Sequence, residues 1–252
     1  MPWPDVSIAA PPRLHVDDTL AAGERVLPPE AARHAQVLRL QPGAALTLFD
    51  GRGGEWAAEV VSMGRRDVAV RVGRHHAVER ELPQAVTLAL GMPAGDRMDF
   101  VVEKATELGV AAVVPLVTAR SVLRLSGDRA ERRRAHWQAI AVAACEQCGR
   151  NRVPTVHLPL PLEAWLAPLP AAAAPGELRV LLGWRDAAPW HGAARDRAVM
   201  QVLSGPEGGL TDAEEDRARS LGFAPTSLGP RVLRADTAPL AVLAALALGA
   251  DG

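Results

Sequence analysis

Between Leu203 and Glu214 the chain reads LSGPEGGLTDAE, and this stretch constrains the fold more than any other. An apolar strand signal (Val199, Met200, Val202, Leu203) runs into a glycine-rich turn and then into a helix start. Thr211 can cap that helix, and Glu214 follows three residues later, the spacing of a capping box. Gly205, Gly208 and Gly209 open backbone angles closed to other residues and leave room for a ligand against the main chain. A second glycine-marked loop, Leu228 to Ala238, also opens into an apolar helix. Two such loops suggest a small-molecule pocket built largely of backbone.

A chain of 252 residues can hold one large domain or two smaller ones. Its formal charge of −1 neither demands nor excludes a nucleic-acid partner. Among 28 cationic residues Lys104 is the only lysine. Arginine-biased genome composition explains that skew, although arginine also binds phosphate and stacks on bases better than lysine. Met1 to Pro12 lacks the basic start, apolar stretch and cleavage site of a signal peptide. The longest apolar run, Ala238 to Ala250, is too short to span a membrane. Two cysteines make no disulfide framework, so a cytoplasmic protein without a membrane partner is expected.

Residues from about Arg13 to Arg80 read as a small β-rich domain. Ala45 to Phe49 ends at Asp50-Gly51, a hairpin signal, and Glu55 to Val61 returns with alternating apolar residues. Val68, Val70 and Val72 give a further strand, and Pro29 to Leu40 a short helix. An antiparallel barrel or open sheet is expected, followed by a polar linker from His75 to Pro83. Beyond it, strands at Val86–Leu90, Ala111–Leu116, Arg179–Leu182 and Val199–Leu203 alternate with helices at Arg97–Leu108, Ala130–Cys148, Ala213–Leu221 and Pro239–Leu248. That alternation predicts a parallel α/β sheet, which binds ligands beyond the carboxyl ends of its strands, where both glycine loops fall. The expected division is residues 1–78 and 79–252.

Neither the dinucleotide fingerprint nor a Walker phosphate loop is present, which argues against hydride transfer and nucleotide hydrolysis. Cys145 and Cys148 have metal or redox spacing but lie inside a helical pattern without a second pair. His136 and His157 fit no zinc module, so no metal is expected. Arg129, Arg132, Arg133 and Arg134 fit a solvated helix face as well as an RNA contact. Arg150 and Arg152 flank a helix stop at Gly149 and Asn151, where cations either complement the helix dipole or bind phosphate.

The motifs EKATELG (Glu103 to Gly109), EQCGR (Glu146 to Arg150), GPEGG (Gly205 to Gly209) and LGPRVLR (Leu228 to Arg234) occur in that order. Together they resemble the RsmE family, the small-subunit (16S) ribosomal RNA uridine-N3 methyltransferases of the SPOUT superfamily. His34 to Arg39, Gly43 and Phe49 to Gly51 resemble that family's PUA-like β-barrel. The resemblance covers nearly the whole chain. It implies an α/β fold with a trefoil-knotted methyltransferase domain after a PUA-like barrel, S-adenosylmethionine as cofactor, a homodimer, and small-subunit ribosomal RNA, in assembled subunits, as partner. It assigns the cofactor to Leu182, Gly183, Gly205, Pro206, Glu207, Gly208, Gly209, Leu228, Gly229, Val232 and Leu233. Three positions depart from the pattern: Asp236 where glutamate is frequent, Ala94 where lysine is common, and Cys148 where serine is frequent.

On that resemblance the enzyme aligns an activated methyl group with uridine N3 and helps the imide lose its proton. Arg234 is the first choice for stabilising the negative charge that develops on the base. Arg231 binds phosphate or cofactor, and Glu207 or Asp236 either holds the arginine or assists proton removal. Arg120, Arg150 and Arg152, with Arg13 and Arg39 from the barrel, are candidate RNA contacts. The rivals are a SPOUT enzyme acting on another base or a ribose, and a non-catalytic RNA-binding protein.

Overall fold

The structure is a computed structural model that describes residues 11–190 and 197–249. Most of the Met1–Pro12 segment, and Ala250 at the end of the apolar run, lie outside the described residues. Contacts divide the chain into two compact units, Met1–Arg80 with Cys145–Val153 and Glu81–Ala144 with Pro154–Gly252.

The first unit holds strands β1 (Arg13–His15), β2 (Gly23–Val26), β3 (Ala45–Phe49), β4 (Glu55–Met63) and β5 (Val68–His76), and helix α1 (Pro29–Val37). The strands form one sheet in the order β1-β3-β4-β5-β2. The expectation of a wholly antiparallel sheet fails at one edge, where β1 runs parallel to β3. β1 carries only three residues, too few for a readable alternation. The hairpin from β3 to β4 forms at Asp50-Gly51, with Gly51 at φ 78°. Val68, Val70 and Val72 point inward and pack with Leu14, Leu46, Leu48, Val60 and the alanines of α1. The segment 75–83 is not all linker, because β5 extends through His76.

Cys145–Val153 joins this unit through polar contacts that sequence order does not reveal. Glu55 Oε2 accepts from Arg13 (2.7 Å), Asn151 (3.0 Å) and Arg80 (3.1 Å). Burial alone would raise the Glu55 pKa, but donation from Arg80, Arg13 and Asn151 outweighs it and holds the carboxyl below its usual value. Arg13 also donates to the Asn151 side chain at 2.6 Å and to the Arg150 carbonyl at 3.1 Å.

The second unit contains β6 (Ala85–Gly91), α2 (Arg97–Glu107), β7 (Ala112–Val117), most of α3 (Gly127–Cys148), β8 (Thr155–Val156), β9 (Leu160–Pro161) and α4 (Leu162–Leu166). It continues with β10 (Glu177–Leu182), β11 (Ala188–Pro189), β12 (Val199–Ser204), α5 (Asp212–Ser220), β13 (Ala224–Ser227) and α6 (Thr237–Gly249). The sheet order is β11-β13-β10-β12-β6-β7-β8, with β9 also on β7, and every pair is parallel. Near-continuous burial of β6, β7, β10 and β12 matches a sheet covered on both faces. One residue breaks that apolar run. Arg179 on β10 is fully buried, and it pairs with Glu177 at 2.9 Å and donates to the Pro170 and Leu221 carbonyls, both at 2.7 Å.

Because β13, β10 and β12 are parallel neighbours, the loops that follow them leave the same end of the sheet side by side. These are the loop after Leu182 and the two glycine loops. Among the described residues, no helix is long and apolar enough to cross a membrane.

Candidate functional site

The three loops surround a cavity of about 790 Å³, within the usual range for small-molecule sites. Leu182 and Gly183 line it from β10, and Gly205, Pro206, Glu207, Gly208 and Gly209 from the first glycine loop. Leu228, Arg231, Val232, Leu233 and Arg234 line it from the second, and Arg120 reaches it from the segment after β7. Of the residues singled out for cofactor binding or catalysis, Gly229 and Asp236 are not among its lining. Gly229 turns the chain at φ 106°, with its carbonyl taking a bond from Ser227 Oγ at 3.2 Å. The Asp236 carboxylate instead accepts from Thr237 Oγ1 at 3.3 Å.

The first glycine loop is tightly seated. A Cβ on Gly205 would lie 2.8 Å from Gly209 C and Leu210 N, so only glycine fits there. Gly91, at the end of β6, is a second required glycine: its Cβ would lie 2.6 Å from Pro206 N. Sequence reasoning missed Gly91 because the clash comes from a strand neighbour more than a hundred residues away. Arg120 Nη1 donates to the Gly208 carbonyl (2.7 Å) and the Leu210 carbonyl (3.1 Å). Glu207 Oε1 accepts from Ala94 N (3.0 Å) and Arg97 Nη1 (3.2 Å). The expected capping box is present. Glu214 N donates to Thr211 Oγ1 at 3.3 Å, and Thr211 N to Glu214 Oε2 at 2.8 Å. Glu214 also takes a bond from Ala119 N at 2.8 Å, which ties α5 to the segment that carries Arg120.

The structure sorts the candidate RNA-contacting arginines by their partners. Arg13 is spent on Glu55 and Asn151, and its guanidinium lies 4.9 Å from the Phe49 ring centre. Arg150 is only 3% exposed. Internal partners take up the half-buried Arg13, and burial withdraws Arg150 from solvent. Arg152 is exposed but makes a two-pronged pair with Glu79 at 3.1 and 3.2 Å. Arg39 is exposed, at the end of α1, with φ 54°. Arg231 and Arg234 are exposed, and among the described residues their side chains have no hydrogen bond or ion pair. The lining also includes Arg97, Trp184 and Arg185, none of which the glycine pattern indicates. The available signal for Trp184 was a tryptophan directly after a strand-ending glycine.

Cys145 and Cys148 lie on α3, and neither forms a disulfide. Cys145 Sγ donates to the Arg152 carbonyl at 3.5 Å. Among the described residues, no cluster of His, Cys, Asp and Glu is placed to hold a metal ion.

An RNA methyltransferase domain model matches residues 80–247, and an RNA methyltransferase PUA domain model matches residues 27–73. The chain is 37% identical over 215 residues to the ribosomal RNA small subunit methyltransferase E of Synechocystis, covering 83% of this chain and 67% of the relative. It is 32% identical to the Bacillus subtilis protein of the same name, covering 83% and 84%.

The chain belongs to the ribosomal RNA small subunit methyltransferase E family.

A solved methyltransferase E from Neisseria gonorrhoeae, bound to S-adenosyl methionine, superposes with a TM-score of 0.85 at 34% identity, covering 94% of this chain and 96% of that one. This methyltransferase E chain is thus a mixed α/β protein with a PUA domain. Its cavity is lined by the main chain of the two glycine loops and by charged side chains of both signs, with Arg231 and Arg234 exposed.

Proposed function

We propose that this chain is an S-adenosylmethionine-dependent methyltransferase that modifies N3 of a uridine in small-subunit (16S) ribosomal RNA. It acts in the cytoplasm, as a homodimer, on assembled subunits. Family membership supports the activity, and one observation carries the site: three adjacent strand-end loops enclose a cavity lined by two exposed arginines that have no partner among the described residues. The further reading of the fold is a trefoil knot through the loops after β10, β12 and β13, and a closed PUA-like barrel in the first unit. Exposed Phe100 on α2 and Leu248 on α6 support the dimer reading, since a solvent-facing apolar surface favours association.

The lining residues fit the cofactor. A Cβ at Gly205 or Gly91 would displace the loop backbone, and Leu182, Gly183, Gly208, Gly209, Leu228 and Leu233 offer apolar surface and main-chain polar groups. When bound, S-adenosylmethionine supplies a methyl group already activated on its sulfonium. The residues of this chain act on the acceptor. Uridine N3 gives its proton to solvent water, and the charge that develops on the uracil ring is stabilised by the Arg234 guanidinium. Arg231 takes a flanking phosphate, and Arg39 a phosphate on the PUA unit. Glu207 is committed to Ala94 N and Arg97, so its role is to hold the loop. Asp236 sits outside the lining and sets the start of α6 beside Arg234.

The test is methyl transfer from labelled cofactor to small ribosomal subunits and to naked ribosomal RNA, followed by nucleoside mass spectrometry. N3-methyluridine in the subunit arm is the expected product. A 2′-O-methyl nucleoside, another methylated base, or no transfer would overturn the reading.

A further inference from the structure

We propose that Trp184 is a stacking platform for an RNA base at the cavity, a substrate-binding contact that rests on the methyltransferase reading above. Trp184 lines the cavity yet remains 53% exposed, an unusual setting for the largest apolar side chain. It does not sit on a slack loop. The following residue, Arg185, is clamped by α5: its Nε lies 2.9 Å from Glu215 Oε2, and its Nη2 donates to Asp216. Arg219, also on α5, donates to the Arg185 carbonyl and pairs with Asp186 at 3.3 Å. Asp186 adopts φ 51°, a left-handed conformation that aspartate tolerates better than most residues, and these contacts hold it there. The turn therefore presents an aromatic face in a fixed place.

The occupant follows from charge and depth. The cavity floor is already lined with backbone and small apolar groups suited to the cofactor. The carboxylates of the lining, Glu207, Asp212 and Glu215, are paired with Arg97 and Arg185, whereas the exposed Arg231 and Arg234 of the same lining have no carboxylate partner among the described residues. Two arginines without internal partners attract a polyanion. A base flanking the target uridine can then stack on the indole while its phosphates meet the arginines. Such stacking contributes about 1–3 kcal/mol per base and tolerates many sequences.

The experiment compares wild type, Trp184→Ala, Trp184→Leu and Trp184→Phe. It measures methylation of small ribosomal subunits, binding of the same subunits, and calorimetric affinity for S-adenosylmethionine. Thermal melts serve as the folding control. Trp184→Ala and Trp184→Leu should each weaken subunit binding by about 5- to 150-fold. Trp184→Phe should stay within about threefold of wild type, because it keeps a π face. Cofactor affinity and the single-turnover rate at saturating subunits should hold in all three variants. Subunit titration should quench tryptophan emission in wild type more than in Trp184→Phe. Loss of cofactor affinity with subunit binding intact would assign the indole to the cofactor and overturn the proposal. Equal behaviour of wild type and Trp184→Ala in an active enzyme would also overturn it. A wild type that transfers no methyl group would remove the proposal together with the function on which it rests.

Discussion

The two glycine loops look alike in sequence but are held differently in the structure. The first, from Gly205 to Leu210, is pinned on several sides: by Gly91 beneath Pro206, by Arg120 on two carbonyls, by the Ala94 amide and Arg97 on Glu207, and by the capping box that begins α5. The second, from Leu228 to Asp236, is tied mainly at its ends, by Ser227 on the Gly229 carbonyl and by the first amides of α6 on the Arg234 carbonyl. Its Val232 is 84% exposed. A loop that binds through its main chain must have that main chain fixed beforehand. A loop that works through side-chain charge needs its arginines free of internal partners.

The largest expected effect falls on the second loop. Arg234→Ala should slow single-turnover methylation at least ~100-fold, the scale for losing one preorganised donor to a developing charge. Cofactor affinity should change far less, and Arg234→Lys should recover only part of the rate, because an ammonium lacks the planar fork. If Arg234 merely fixed its loop, cofactor affinity and thermal stability would fall together with the rate. The comparison breaks if rate is preserved in Arg234→Ala at saturating cofactor and RNA.

Next comes the first loop, where a single methyl group should matter. Gly205→Ala sets a Cβ against backbone that has no flexible end to move aside. Overpacking of this kind costs about 1–3 kcal/mol. Calorimetry should show weakened cofactor binding and a melt should show a lower Tm. Gly208→Ala is the control, since its Cβ would meet Arg120 Cβ at 3.3 Å, a tight contact that needs only a small shift, rather than backbone at 2.8 Å. Equal tolerance of alanine at both positions would mean that the first loop is not preorganised.

How much of this was legible in the sequence depended on whether the signal was local. The capping box, the strand before the first glycine loop and the long α3 are local patterns, and all appear in the structure. The role of each arginine was not legible, because partners decide it. Arg13 and Arg150 read as RNA contacts, yet Arg13 is taken up by Glu55 and Asn151, and Arg150 is buried. Arg179, within an apolar strand pattern, gave no hint of its buried pair with Glu177. Short elements such as β1 and β13, with three and four residues, lack enough periodicity to be seen. Gly91 and Trp184 matter only because strand order brings them to the same end of the sheet.

A smaller effect is expected at the helix cap that closes the first loop. Thr211→Ala removes the oxygen that accepts from Glu214 N, a change that typically costs about 1 kcal/mol. Thermal melting should register that loss. The methylation rate at saturating cofactor should stay near wild type, because the cap anchors α5 without touching the acceptor. A large loss of rate with no loss of stability would mean that the pinned loop takes part in chemistry.

The smallest effect should come from Glu207→Gln, and it bears most directly on the division between the loops. Glu207 belongs to the GPEGG sequence and lines the cavity, so a role in removing the N3 proton is the natural rival to a holding role. Its Oε1, however, accepts from both Ala94 N and Arg97. Glutamine keeps an acceptor oxygen for the Ala94 amide and loses only the charge toward Arg97, a partly exposed pair of modest value. Methylation by Glu207→Gln should therefore fall by less than about tenfold, and the pH–rate profile should keep its shape. A general base contributes roughly 100-fold or more, so losing one would flatten the acidic limb of that profile as well as lower the rate. That outcome would move proton removal onto the first loop. A small effect leaves the acceptor chemistry with the second loop, where Arg234 stabilises the anion once the proton has gone.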